Sequence, residues 1–393
     1  MSSQISSNFK LSNKFIINGS LLDFLVRDFP FKINSFPKKY TVSTLDSIKD
    51  YESLLSSADF IIIDEKVAKL YPFKDRDSNL IFYIDAKEDN KNLNTVNALI
   101  DIFIERNISK GSKVIAIGGG IIQDIAACAC ALFRRGLPFI YMPTTTLGQL
   151  DSCIGAKCAV NTKSAKNILG LFSAPSEVVI PKFIIKSMPL IDHRAGLSEM
   201  LRLCITASED AVDKYIELLP EIINPETLNL DYYEIALKIS LSIKKSVVDF
   251  DEYETDVRRS MNYGHTFGHA IEKLVNFKLP HGLAILVGMH IANTFSFQNG
   301  SMNELAFNKI SRAIKSTISG TSINLSFLKE IKPEDIIIQF KYDKKGDGKS
   351  VPLILINKPG EVIFHKYFFN SQSNKLIEAI VFGINNFVEW SII

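Results

Sequence analysis

Between Val114 and Phe133 the chain reads VIAIGGGIIQDIAACACALF, its most apolar window. The length would suit a membrane-spanning helix, but three consecutive glycines, Gln123 and Asp124 interrupt it. Glycine weakens a helix interior and is at home in tight turns. The segment therefore reads as a buried strand, a tight turn and a buried helix. No membrane partner is expected.

Other runs extend the pattern. FIIID (Phe60–Asp64), IFYID (Ile81–Asp85), KVIAIGG (Lys113–Gly119) and PFIYMPTTT (Pro138–Thr146) are short, apolar and β-rich. Continuous apolar runs suit strands covered on both faces of a parallel sheet. Helical stretches such as NLNTVNALIDIFIER separate them, and this alternation predicts a Rossmann-like, doubly wound α/β domain. After about Pro189 the pattern changes to long helical segments: GLSEMLRLCITAS, YYEIALKISLSIKKSVVDFD, GHTFGHAIEKLVNF and HGLAILVGMHIANTFSF. SVPLILIN and EVIFHKYF, with KPG between them, read as two short strands and a turn. The expected division is an α/β domain over 1–189 and a mainly helical domain over 190–393. The polar, Ser-rich first 13 residues are expected to be disordered.

The 393 residues are 46% hydrophobic and 22% charged, ordinary for a globular protein with a sizeable core. A net charge of +2 argues neither for nor against nucleic acid. Functional positive charge must then be local, in a pocket, and no nucleic-acid partner is expected. Five scattered cysteines without a CxxC pair suit reduced, mostly buried thiols in a cytoplasmic protein.

Two motifs bear on chemistry. In AIGGGIIQD, glycines at a strand-to-helix turn let the backbone approach a phosphate, and the helix N-terminus favours its charge. The spacing is not GxGxxG, so a tight turn without ligand remains open. Asp64, at a strand end, either accepts from a ribose hydroxyl or caps a helix. In NYGHTFGHAIEK, His265 and His269 stand four apart on one helical face. They suit either a shared metal or a hydrogen-bonded amphipathic helix.

Several segments occur in the order found in 3-dehydroquinate synthases: GGGIIQD, FRRGLPFIYMPTTTLGQLDSCIGAKCAVNTKSAKNILGLF, GLSEMLR, MNYGHTFGHAIE, PHGLAILVGM and YDKKGDGK. From about Asp64 to about Asn357 the chain resembles that family, within the wider group of sugar phosphate cyclases. The resemblance implies an NAD-binding α/β domain followed by a helical domain that binds Zn²⁺ or Co²⁺. It implies Glu199, His265 and His281 as metal ligands, a set that suits a catalytic site with an open position. His269 would bind the substrate phosphate instead.

The family converts 3-deoxy-arabino-heptulosonate 7-phosphate into 3-dehydroquinate. The steps are transient oxidation by NAD⁺, phosphate elimination, reduction and intramolecular aldol closure. Carried over by position, His269, Asn262, Lys157, Asn167 and one or both of Lys344 and Lys345 match phosphate and hydroxyl ligands. Arg135 matches an arginine contributed across a homodimer interface. Arg258 and Lys244 match the two cations that hold the substrate carboxylate, where an arginine can grip bidentately. Asp151 matches a residue near the ring hydroxyls, and Lys166 is a further candidate there. For NAD the matches are Gly118, Gly119, Gly120 and Asp124 near the pyrophosphate, and Thr144 and Thr145 in PTTT. Asp64, Glu88 and Lys91 would lie around the adenosine ribose.

Three positions depart from the family pattern. Arg202 replaces an active-site lysine, keeping the charge on a larger planar group. Gln123 stands where a glycine is usual. Leu283 replaces an acidic residue after HG, which removes a possible partner for His281. Alternatives are a cyclase of amino-dehydroquinate, valiolone or inosose type, and a metal-dependent polyol dehydrogenase. A non-catalytic homologue is a further alternative.

Overall fold

A computed structural model describes residues 14–16, 25, 28–36, 38–72, 77–321, 323–340, 349–369 and 374–392. The disorder expected for residues 1–13 lies outside them, as do Lys344 and Lys345. The chain forms two compact units, one over Val26–Met188 and one built from Met1–Leu25 and Pro189–Ile393. The N-terminus departs from the expected division. Strand β1 (Lys14–Ile16) pairs antiparallel with a strand near the C-terminus, Lys14 opposite Ile363. Three residues carry no periodicity, so nothing local marks this pairing.

The Val26–Met188 unit is a seven-stranded sheet. Its strands are β2 (Phe31–Ile33), β3 (Tyr40–Leu45), β4 (Phe60–Asp64), β5 (Ile81–Ile84), β6 (Val114–Gly118), β7 (Phe139–Pro143) and, after the hairpin β8 (Lys157–Val160) and β9 (Leu169–Phe172), β10 (Glu177–Pro181). Their order is β2-β3-β10-β7-β6-β4-β5, with only the β2–β3 pair antiparallel. Phe60 to Ile63 and Ile115 to Ile117 are fully buried, as continuous apolar runs require. Helices α1 (Ile48–Ser56), α2 (Glu65–Leu70), α3 (Leu93–Glu105) and α4 (Gly120–Leu132) connect them. Asn92 caps α3 by accepting from the backbone N–H groups of Asn94 and Thr95. The strand order reverses between β4 and β6. Ligands of open α/β sheets bind at the carboxyl ends beside such a reversal, which here are Asp64 and the Gly118–Gly120 turn.

The second unit is helical: α5 (Leu190–Ala207), α6 (Glu209–Ile222), α7 (Leu230–Phe250), α8 (His265–Leu274), α9 (His281–Gln298), α10 (Glu304–Ile318), α11 (Pro333–Phe340) and α12 (Asn374–Ile392). Strands β11 (Ser350–Lys358) and β12 (Glu361–Phe368) form a hairpin, and β1 extends it at the β12 edge. Helix α9 is apolar all round and buried from Gly282 to Ser296, so it is the core helix of the unit. It packs against α5, α8 and α12. Glycines let the backbones meet: a Cβ on Gly282 would stand 1.9 Å from the Ala195 carbonyl oxygen, and one on Gly288 2.1 Å from that of Gly264. No helix among the described residues is long and apolar enough to cross a membrane.

Candidate metal and cofactor sites

Helix α8 starts at His265 because Gly264, with φ 80°, turns the chain through the left-handed region. His265 and His269 then lie one turn apart on one face, their rings edge to face with centres 5.2 Å apart. His281 opens α9 with its ring 5.5 Å from His265 and 5.6 Å from His269. One ring nitrogen from each of the three lies within 4.8 Å of the others. The geometry thus brings His269 into the cluster as closely as the two expected ligands.

Glu199, from α5, is 1% exposed. Its Oε1 has no hydrogen-bond partner among the described residues and stands 3.5 Å from Nε2 of His281. A buried carboxylate oxygen without a donor is costly, and a cation at the imidazoles would satisfy it. Arg202 Nε donates to Glu199 Oε2 at 2.5 Å, and its Nη1 to the Met261 carbonyl at 2.6 Å. Nδ1 of His281 lies 3.2 Å from both carboxylate oxygens of Glu272. Burial alone would lower the His281 pKa; the Glu272 and Glu199 carboxylates outweigh it and raise it. With Nδ1 bonded to Glu272, the neutral ring offers Nε2 as a ligand. This donor set fits a divalent Zn²⁺-type cation.

The remaining C-terminal candidates are ordered by local bonds. Arg258 is buried, with its backbone N–H on Asp251 and Nη1 on the Glu252 carbonyl. Lys244 is buried on α7. Asn262 Nδ2 donates to Glu254 and to the Arg259 carbonyl. His193 bonds the Ile222 carbonyl, and His290 lies 4.5 Å from the Trp390 ring centre, consistent with structural roles.

In the N-terminal unit, Gly119 opens α4 without a side-chain cap, and a Cβ on Gly120 would meet nothing within 4 Å. Such an open helix N-terminus fits a pyrophosphate. The Thr144 N–H donates to the Gly118 carbonyl, and Thr145 Oγ1 accepts from the Gly148 N–H. Asp64 caps α2 through the Lys66 N–H, the blander of its two readings. Burial raises the Asp124 pKa, and its ion pair with Lys91 opposes that. Lys91 also donates to Asn167 Oδ1 at 2.6 Å, and Glu88 accepts from Asn161 at 2.8 Å. Asp151 sits in the single wide turn Gly148–Ser152. Gln123, from α4, grips that turn: Nε2 donates to the Ser152 carbonyl and Oε1 accepts from its hydroxyl. Lys157 and Lys166 are exposed on and after β8. Arg135 is exposed, with φ 61°.

Family models for the 3-dehydroquinate synthase N-terminal and C-terminal domains match residues 81–195 and 196–346. A 3-dehydroquinate synthase of Pelagibacter ubique is 33% identical over 365 residues, 88% of this chain and 96% of its own. The chain belongs to the 3-dehydroquinate synthase family. It is an enzyme of 3-dehydroquinate synthase type. The synthase of Nitratiruptor sp. is 32% identical over 79% of this chain and 87% of its own length. Among solved structures, a 2-deoxy-scyllo-inosose synthase complexed with carbaglucose-6-phosphate, NAD⁺ and Co²⁺ shares the fold. Its TM-score is 0.74 at 23% identity, over 90% of this chain and 99% of that one. So does the 2-epi-5-epi-valiolone synthase of Streptomyces hygroscopicus subsp. jinggangensis, with NAD⁺ and Zn²⁺ bound (TM-score 0.75, 21% identity, 91% of this chain, 99% of that one).

Two polar groups of the chain were not marked by the sequence. Leu283 was expected to cost His281 its partner; Glu272 supplies one. The i+3 step from His269 to Glu272 was the available signal. Asn161 bonds both Glu88 and Asn167, and nothing in its spacing marks it.

Proposed function

We propose that this chain converts 3-deoxy-arabino-heptulosonate 7-phosphate into 3-dehydroquinate and phosphate, with NAD recycled and no net redox. One observation carries the reading: Glu199 Oε1, without a hydrogen-bond partner among the described residues, faces Nε2 of His281 beside the other two imidazoles. Glu199, His265 and His281 would hold Zn²⁺ or Co²⁺, which would supply Lewis acidity toward a substrate hydroxyl. NAD⁺, held at the Gly118–Gly120 turn, would supply hydride-transfer chemistry.

The chain's own residues bind and orient. Arg258 and Lys244 neutralise the substrate carboxylate. In the same unit His269, Asn262, Lys344 and Lys345 serve the phosphate. In the N-terminal unit Lys157 and Asn167 serve phosphate and hydroxyl oxygens, and Asp151 and Lys166 orient hydroxyls. Gly118, Gly119, Gly120 and Asp124 receive the dinucleotide pyrophosphate, with Thr144 and Thr145 alongside. Asp64 borders its ribose, and Glu88 and Lys91 support the neighbouring loop. Arg202 keeps Glu199 in place. Arg135 serves a second copy of the chain in a homodimer.

The test is phosphate release from this sugar acid phosphate with catalytic NAD⁺ and Zn²⁺, with NADH absorbance followed in parallel. Stoichiometric phosphate without net NADH is expected. Accumulating NADH would indicate a polyol dehydrogenase, and absence of phosphate would exclude this substrate.

A further inference from the structure

Cys128 and Cys158 face each other where α4 packs on β8. Their sulfurs stand 4.0 Å apart, and the two residues are 2% and 3% exposed. Asp124 lies one helical turn before Cys128 and shares its face. Its Oδ1 accepts from the Ala159 N–H at 3.2 Å. Two adjacent contacts thus fix this face of α4 against the strand that carries Cys158. The Cys158 thiol also donates to the Leu171 carbonyl at 3.5 Å, its pairing partner on β9.

Thiol oxidation needs a thiolate and an approach. Hydrogen bonding with Cys158 lowers the Cys128 pKa, against burial and the Asp124 carboxylate. Burial pushes the Cys130 and Cys204 thiols up instead. Strands β8 and β9 form a two-stranded sheet of their own, and β9 is largely exposed. Two strands alone are marginally stable in water. Local opening of this hairpin admits a small oxidant to sulfurs that are covered at rest.

We propose that Cys128 and Cys158 form a reversible oxidation site, closed to a disulfide by hydrogen peroxide. The Cys128 thiolate attacks one peroxide oxygen. An S–O bond forms, the O–O bond breaks and hydroxide leaves, so sulfur is oxidised to a sulfenic acid and peroxide is reduced. Cys158 then attacks the Cys128 sulfur. The S–S bond forms, the S–O bond breaks, and the departing hydroxide leaves as water with the Cys158 proton. Two thiols and one peroxide give one disulfide and two waters. A dithiol reductant restores both thiols by exchange.

The experiment treats the folded full chain with hydrogen peroxide, alkylates the remaining thiols in denaturant and maps the peptides by mass. A Cys128–Cys158 cross-link that dithiothreitol removes is expected, with Cys130 and Cys204 still alkylated. Cys128 should be lost at least about tenfold faster than Cys130, as thiolate character dictates. In Cys158→Ala the second step has no nucleophile, and dimedone should label Cys128 as a sulfenic acid. In Cys128→Ala, Cys158 should stay a thiol over the same interval. If a variant does not fold, the wild-type map decides alone. No cross-link at any dose that leaves the chain folded, a cross-link joining other cysteines, or oxidation of Cys128 no faster than of Cys130 overturns the proposal.

Discussion

Glu272 bears on the histidine cluster through His281. Its carboxylate faces Nδ1 of His281 from the far end of α8, while Nε2 faces Glu199. Such outer partners raise ligand basicity and fix the ring, and losing one costs about 10–100-fold in metal affinity. Glu272→Gln keeps an acceptor and removes the charge, so Zn²⁺ affinity should fall about tenfold, the lower end of that range. Competition against a chromophoric chelator measures this without turnover. Equal affinities in variant and wild type would make Glu272 a bystander. Arg202 shows the same scale at work. Its sequence position suggests a substrate cation, yet two of its nitrogens are engaged by Glu199 and the Met261 carbonyl.

At the scale of elements, α9 reaches the cluster because its first turn can touch α5. Gly282 follows His281, and a methyl there would collide with the backbone of Ala195, which no rotamer change relieves. Gly282→Ala should destabilise the fold by about 2 kcal/mol or more. It should also weaken Zn²⁺ binding, because His281 moves with the helix start. Chemical unfolding and zinc titration check both, and an unperturbed variant would mean the helices are not held this closely. Elements are also where the sequence was most legible. FIIID, the GGG turn and HGLAILVGM announce buried strand, turn and core helix through runs of apolar residues. The pairing of KFI with β12, the reach of Glu272 to His281, and the bonds of Asn161 are contacts between distant segments. No periodicity encodes them. Asp64 illustrates the limit: a strand-end aspartate looks the same whether it caps a helix or meets a ribose.

For the whole molecule, two buried histidines contribute to the response to acid. Burial lowers the pKa of His193 to about 4 and that of His290 to about 3. The unfolded chain takes up these protons near pH 6.5. Between those values the unfolded state binds more protons, so stability rises with pH and is lost on acidification from about 6.5. From pH 7.5 to 5 each histidine should remove about 2 kcal/mol. His290 stands among the rings of Phe307, Phe382 and Trp390. His290→Leu should therefore halve the part of the acid loss owed to the pair. Urea unfolding at the two pH values reads this, and an unchanged difference would refute it.

The pairing of β1 with β12 also dictates an order of assembly. Lys14 and its partner Ile363 lie at opposite ends of the chain. At about 5–20 residues per second, ribosomal synthesis separates them by roughly 20–70 s. The whole Val26–Met188 sheet can close in that interval, as an insert between two pieces of its neighbour. The first strand made is thus the last one laid down. Until β12 is made, β1 waits without its partner, its N–H and C=O groups open to any other extended segment in a nascent chain.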